Sequence, residues 1–198
     1  MFTYWQRIKD IVGPATIREF DQIGQPRTRD ALEAFILDQS DATTRLLDAG
    51  CNTGVEGYRL FQRGFPGQYV GIDSNLKALT VALANLAGHP AAVLQADLAT
   101  IPYPNQAFDL VLSKDVIEHW PDFTPILPEL ARLTRRWLVL SFFIRPHAAP
   151  DAIQRHPDGY YLNRYNRARL IRCLTDQGFQ PPRVLFQEGE DEVWGCAR

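Results

Sequence analysis

Asp48, Gly50, Asn52 and Gly54 stand two residues apart, directly behind the apolar Leu46 and Leu47. An apolar run that ends in an acid and breaks into glycines predicts a buried strand, a tight turn and a helix. Gly50 has no Cβ, so the backbone can turn sharply and lie close to a ligand, and the helix behind it aims its first amides at whatever is bound. Asp73 and Asp97 each close a further short apolar run. Acid-tipped strands around a glycine turn are the makings of a nucleotide site.

The missing residues narrow the nucleotide. A dinucleotide turn needs Gly-x-Gly-x-x-Gly, and here Asn52 and Val55 occupy two of the three glycine positions. There is also no Gly-Lys-Ser/Thr ending to grip a triphosphate. A second chemical cluster, Ser113, Lys114, Asp115, Glu118 and His119, follows the apolar run at 108–113. An imidazole titrates near physiological pH, which makes His119 the expected general base. The competing reading is that Glu118 and His119 cap the following helix or order a loop.

These residues need a frame, and the hydrophobic pattern supplies one. Residues 1–44 predict a helical cap: Tyr4, Trp5, Ile8, Ile11 and Val12 share one face, Gly13-Pro14 breaks it, and Leu32, Phe35 and Ile36 mark a second helix after Thr28. Tyr4 and Trp5 are candidates for closing a substrate pocket. Strands are expected at 45–49, 69–73, 93–96, 108–113 and 137–144. Between the first two lies the Val55, Tyr58 and Phe61 stripe. A helix capped by Ser74 and facing inward with Leu76, Leu79, Leu83 and Leu86 follows the second strand. Phe123, Ile126, Leu127 and Leu130 form another, with Pro125 and Pro128 near its first turn. Continuous apolar strands alternating with helices imply an α/β fold with a largely parallel sheet covered on both faces. Residues 166–198 predict a helix capped by Asn166 and a terminal hairpin.

Four motifs in order carry a family resemblance: Leu-Leu-Asp-Ala-Gly-Cys-Asn-Thr-Gly, Val-Gly-Ile-Asp-Ser, Gln-Ala-Asp-Leu, and Phe-Asp-Leu-Val-Leu-Ser-Lys-Asp-Val-Ile-Glu-His. Over residues 45–144 the chain resembles the class I S-adenosylmethionine-dependent methyltransferases, in particular the type-11-like domains. The resemblance implies a Rossmann-like, doubly wound, mostly parallel seven-stranded sheet with an antiparallel last strand. It implies S-adenosylmethionine as cofactor, held by Asp48, Gly50, Cys51, Asn52, Gly54, Asp73, Ser74, Asp97, Leu98 and Ser113. Asp73 would take the ribose hydroxyls, Asp97 the adenine amino group, and the Leu98 amide a ring nitrogen. Ser74, Leu76 and Leu98 would wall the base, and carbonyls near Ala49 and Ser113 would receive the ammonium. Asp48 is expected to brace the turn. The family usually has glycine where this chain has Asn52, which tolerates positive φ better than most residues.

Residues 145–165 are polar, without a clear period, and carry His147, His156, Tyr160, Tyr161 and Asn163. A loop of that length in a compact domain is expected to serve function, so His156, Tyr160, Tyr161 and Asn163 are the candidate substrate contacts. His147 and His156 lack a regular ligand spacing with Asp151 and Asp158, and no metal is expected. The whole chain reads as one domain. Its net charge of -2 speaks against a nucleic-acid or membrane partner, although Arg164, Arg167, Arg169 and Arg172 form a local cationic stretch. Cys51, Cys173 and Cys196 suggest neither disulfides nor zinc, which fits a cytoplasmic setting. The expected reaction is methyl transfer to a small-molecule hydroxyl or amine. The alternatives are an RNA or protein methyltransferase, or a cofactor-binding domain without activity. The oligomeric state is open.

Overall fold

Successive residues along a strand face opposite sides of a sheet, and here both sides are apolar. Leu47, Val70, Val111, Leu138 and Trp194 belong to one core, while their neighbours Leu46, Tyr69, Leu110, Val139 and Val193 belong to the other. Such strands must be covered twice. In the computed structural model, which describes residues 26–157 and 159–198, helices do so on each face.

The elements run α1 (Pro26–Asp38), β1 (Arg45–Ala49), α2 (Val55–Gln62), β2 (Gln68–Asp73), α3 (Leu76–Asn85), β3 (Ala91–Gln95) and β4 (Phe108–Lys114). A single 3-10 turn (Ile117–His119) follows, then α4 (Leu127–Leu133), β5 (Thr134–Phe142), α5 (Arg167–Asp176), β6 (Arg183–Glu188) and β7 (Asp191–Ala197). The seven strands are ordered β3-β2-β1-β4-β5-β7-β6. β1 to β5 pair in parallel, whereas β7 is antiparallel to both β5 and β6. Leu32 and Ile36 of α1, Leu60 of α2 and Ala82 of α3 pack on one face. Leu127 and Leu130 of α4 and Leu170 and Leu174 of α5 pack on the other. The expected doubly wound, mostly parallel sheet is therefore present.

Several expectations need correction. Asn75, not Ser74, caps α3: its side chain accepts from the amides of Lys77 and Ala78. The buried face of that helix is Ala78, Leu79, Ala82 and Leu86, while Leu76 and Leu83 are 61% and 60% exposed. Alanines at 78 and 82 let α3 lie close to the sheet, and a rule that counts only leucines misplaces the face. β5 begins at Thr134, which pairs with Phe108; Arg135 and Arg136, polar and exposed, form an irregularity before Trp137 resumes the register opposite Leu110, and Arg135 is bound to Asp109 across it. It ends at Phe142 because the next two amides turn to a carboxylate instead of a strand. Residues 145–165 are not patternless. Ala152 bridges Arg164 and Arg155 bridges Tyr161, antiparallel, so the segment doubles back on itself. The Tyr4 to Val12 stripe lies outside the described residues.

Candidate active site

The strand order decides which residues meet. Asp97 follows β3, Asp73 ends β2, Gly50 follows β1 and Ser113 is near the end of β4. With β3, β2, β1 and β4 adjacent in that order, these positions form a row along one edge. The chain reverses direction across the sheet between β1 and β4, the position where ligands of open α/β sheets collect.

The turn behind β1 is held from β2. The amides of Gly50 and Cys51 both donate to the Ile72 carbonyl, at 2.8 and 3.0 Å. Gly50 has φ +88, and a Cβ there would stand 2.5 Å from Val116 Cγ2. Glycine is thus required by conformation and by the close passage of the segment after β4. Asn52, non-glycine at φ 48, is exposed, and its amide donates to Asp73 Oδ2 at 2.9 Å. Gly54, at φ +74, serves packing: a Cβ would lie 3.1 Å from Ala82 Cβ and Leu86 Cδ1. Cys51 turns its thiol inward against Gly71, whose own Cβ would be 2.7 Å from the sulfur, so Cys51 offers the turn its main chain and not its side chain.

The acids play unequal parts. Asp48 is buried and accepts from the Tyr69 hydroxyl at 2.6 Å. Burial pushes its carboxyl up to about 7, with the Tyr69 bond pulling the other way and the charges of Glu56 and Asp73 adding to the rise. It lies beneath the turn as a brace. Asp73 is half-buried, and its oxygens accept from the amides of Asn75 (2.8 Å) and Asn52 (2.9 Å). Burial raises its pKa while those amides and that of Ser74 lower it. Asp97 is exposed and accepts from the Ala99 amide at 2.9 Å, with Leu98 buried behind it. Ser74 is half-buried, its carbonyl taken by Gln95 Nε2 at 3.0 Å. Ser113 is fully buried, and its Oγ has no hydrogen-bond partner among the described residues.

Beyond β4 the chain is strapped to β5. Asp115 adopts φ 54, its amide donates to the Ser141 carbonyl, and its Oδ1 accepts from Ser141 Oγ at 2.8 Å. Four residues later comes His119, half-buried, with Nδ1 2.9 Å from the Tyr161 carbonyl. A carbonyl only accepts, so the neutral ring carries its proton on Nδ1 and its lone pair on Nε2. Burial depresses the imidazole pKa below its ordinary value, opposed by the Tyr161 bond and the Asp115 charge. Phe143 lies 5.2 Å and Tyr160 6.2 Å from the His119 ring, and His156 stacks on Tyr160 at 4.3 Å. The structure thus brings His156, Tyr160 and Tyr161 to His119. Asn163 is different. It is fully buried, its Oδ1 accepting from the Gln154 amide and its Nδ2 donating to the Trp120 carbonyl and the Tyr165 hydroxyl, so its amide orders the segment.

Sequence reasoning missed the Tyr69 brace and the Asp115 to Ser141 strap. A tyrosine inside an apolar strand beside a buried acid was the only signal for the first; nothing marked the second. His147 and Asp151 are committed locally, to the Ala149 amide and to Asn166 and Arg169.

Residues 47–140 match a methyltransferase domain family. Over that stretch the chain is similar to the class I S-adenosylmethionine-dependent methyltransferases. The fold is similar to that of a crystal structure of magnesium protoporphyrin IX methyltransferase from Synechocystis PCC 6803 with bound SAM. That structure is 22% identical, with a TM-score of 0.68, and the match covers 100% of this chain and 90% of the other. Among curated relatives, the chain is 28% identical over 179 residues to trans-aconitate 2-methyltransferase from Azoarcus sp. (strain BH72), 89% of this chain and 70% of that one. It is 35% identical over 104 residues to ribosomal RNA small subunit methyltransferase G from Methylorubrum extorquens (strain PA1), 50% of this chain. The chain spans 47% of that relative's length. Among the described residues no helix is long and apolar enough to cross a membrane.

Proposed function

We propose that this domain binds S-adenosylmethionine along the row Asp97, Asp73, Gly50 and Ser113 and moves its methyl group to a hydroxyl or amine of a small molecule. The observation that carries this reading is the row itself: carboxylates and main-chain groups on adjacent strand ends, with no lysine in the turn. That donor set fits a ribose diol and an adenine edge better than a phosphate. Asp73, already oriented by two main-chain amides, accepts from the ribose hydroxyls. Asp97 and the Leu98 amide address the adenine, and the carbonyls beside Ala49 and the orphaned hydroxyl of Ser113 face the methionine end. When bound, the cofactor supplies a methyl group already activated by its sulfonium. What remains for the protein is to orient the acceptor and exclude water. Where the acceptor is a hydroxyl, His119 Nε2 receives its proton. Tyr160, Tyr161 and His156, gathered around His119, offer apolar bodies with polar tips suited to holding a small organic acceptor.

The relative that acts on ribosomal RNA favours a second reading, methylation of RNA. The arginines that would serve it are largely spoken for: Arg164 pairs with Glu190, Arg167 with Glu192 and Arg169 with Asp151. Incubation with S-adenosylmethionine and a panel of small hydroxyl and amine acceptors, read as S-adenosylhomocysteine release, tests the proposal. Release with a metabolite supports it. Release only with RNA, together with steeply salt-dependent RNA binding, replaces it with the second reading. Cofactor binding with no release for any acceptor leaves a binding domain without activity.

A further inference from the structure

We propose that Glu118 is a positioning residue: it fastens both ends of the 145–165 segment to the turn that bears His119, and so holds the imidazole in its Nδ1–H tautomer. The inference rests on the assignment of His119 as the base.

Glu118 is fully buried in the 3-10 turn. Its side chain and its main chain reach in two directions. Oε1 accepts from the amide of Phe143 at 2.8 Å and, more weakly, from that of Ile144 at 3.4 Å, immediately before the segment. Its carbonyl accepts from the Asn163 amide at 2.9 Å, near the segment's far end. One residue therefore closes a loop of about twenty residues, and its bonds offset the entropy lost when the two ends come together. Within the loop, reciprocal bonds join Ala152 and Arg164 at 2.9 and 3.0 Å, and the Leu162 amide donates to the Gln154 carbonyl at 2.9 Å. This ladder sets the position of Tyr161, and the Tyr161 carbonyl is the group that meets His119 Nδ1. The path from the Glu118 carboxyl to the His119 proton thus runs through these hydrogen bonds and the main chain that joins them.

A glutamate is a costly choice for a plain structural clasp. Its Oε2 is buried and has no hydrogen-bond partner among the described residues, a placement that a purely packing role would avoid. Burial, with the Asp115 charge second, pushes the carboxyl up to about 8, so near neutral pH it holds a proton. Oε1 accepts two amides, which leaves that proton on Oε2. Glutamine keeps the same acceptor oxygen and places an amide where the protonated oxygen stands.

The test uses the full chain labelled with 15N histidine, the His119 ring signals being assigned with His119→Gln. In the wild-type protein and in Glu118→Gln, the 15N shifts should show a single Nδ1–H tautomer at neutral pH. In Glu118→Ala the signals should move to a tautomer mixture, while calorimetric affinity for S-adenosylmethionine stays within about twofold, RT ln 2 being well under 1 kcal/mol. A single unchanged tautomer in folded Glu118→Ala overturns the proposal. If the alanine variant does not fold, amide exchange in the wild-type protein decides. The Phe143 and Asn163 amides should exchange together, and exchange at widely different rates overturns it. Because neither readout needs turnover, failure of His119 as the base would show separately, as full activity in His119→Ala.

Discussion

Asp73 does two jobs with one carboxylate, and this fixes what its loss should look like. Its oxygens hold the amides of Asn52 and Asn75 and, in the proposed complex, accept from the ribose. Hydrogen bonds to a charged group are worth about 1.5–3 kcal/mol each. Asp73→Ala should therefore raise the calorimetric Kd for S-adenosylmethionine by about 100-fold or more and also lower the melting temperature. Among the described residues the Asp97 carboxylate holds only the Ala99 amide, so Asp97→Ala should weaken binding less and leave stability nearly unchanged. Equal affinity in Asp73→Ala and wild type would remove the ribose role. Asn52 gives a second prediction. Its φ of 48 is affordable for asparagine and strained for a β-branched residue. Asn52→Gly should keep or raise stability, while Asn52→Val should cost about 1–2 kcal/mol in urea denaturation. A valine variant as stable as wild type would show that the turn does not need the left-handed conformation.

At the level of elements, the strands of the first half were legible because each is a short apolar run with an acid or glycine at its end. The same signal failed where burial and hydrophobicity part company. In α3 the small Ala78 and Ala82 face the sheet and two leucines face solvent, since close approach selects for small residues and composition alone cannot show it. In β5, Arg135 and Arg136 disguise the start of the strand, because they lie in the register shift between the Phe108–Thr134 and Leu110–Trp137 pairs. The Asp48 brace was readable from the residue's place in a buried strand, but its partner Tyr69 comes from the register of β1 against β2. The Asp115 strap and the Glu118 clasp depend on contacts between segments 25 or more residues apart, which no local pattern encodes. The corrected face of α3 is itself testable. Leu79→Ala removes a buried side chain and should cost about 2–5 kcal/mol, whereas Leu83→Ala should stay within about 0.5 kcal/mol. Equal losses would restore the leucine stripe.

For the whole molecule, the buried acids at the edge of the sheet tie its stability to pH. Burial pushes Asp48 up to about 7 and Glu118 up to about 8, with Glu56 and Asp73 raised in the same direction. At low pH these acids are protonated in both folded and unfolded chains, so their contribution is fully present. As pH climbs past ordinary carboxylate values, the unfolded chain gives up protons that the folded chain keeps. Stability then declines until the folded values are passed. His119 acts in the opposite sense. Its depressed pKa means that the unfolded chain binds its proton more readily, so below its ordinary value stability rises with pH. Above about pH 6.5, the ordinary histidine value, this opposition fades and the acids dominate. A one-proton difference is worth ~1.4 kcal/mol per pH unit, so the denaturation free energy should fall by about 2 kcal/mol between pH 6.5 and 8. Glu118→Gln cannot titrate, and it keeps the acceptor oxygen that binds Phe143. Its curve should lack most of that fall, leaving the smaller part that belongs to Asp48. Parallel wild-type and glutamine curves across this range would mean that Glu118 is ionised in the folded protein and that the decline has another source.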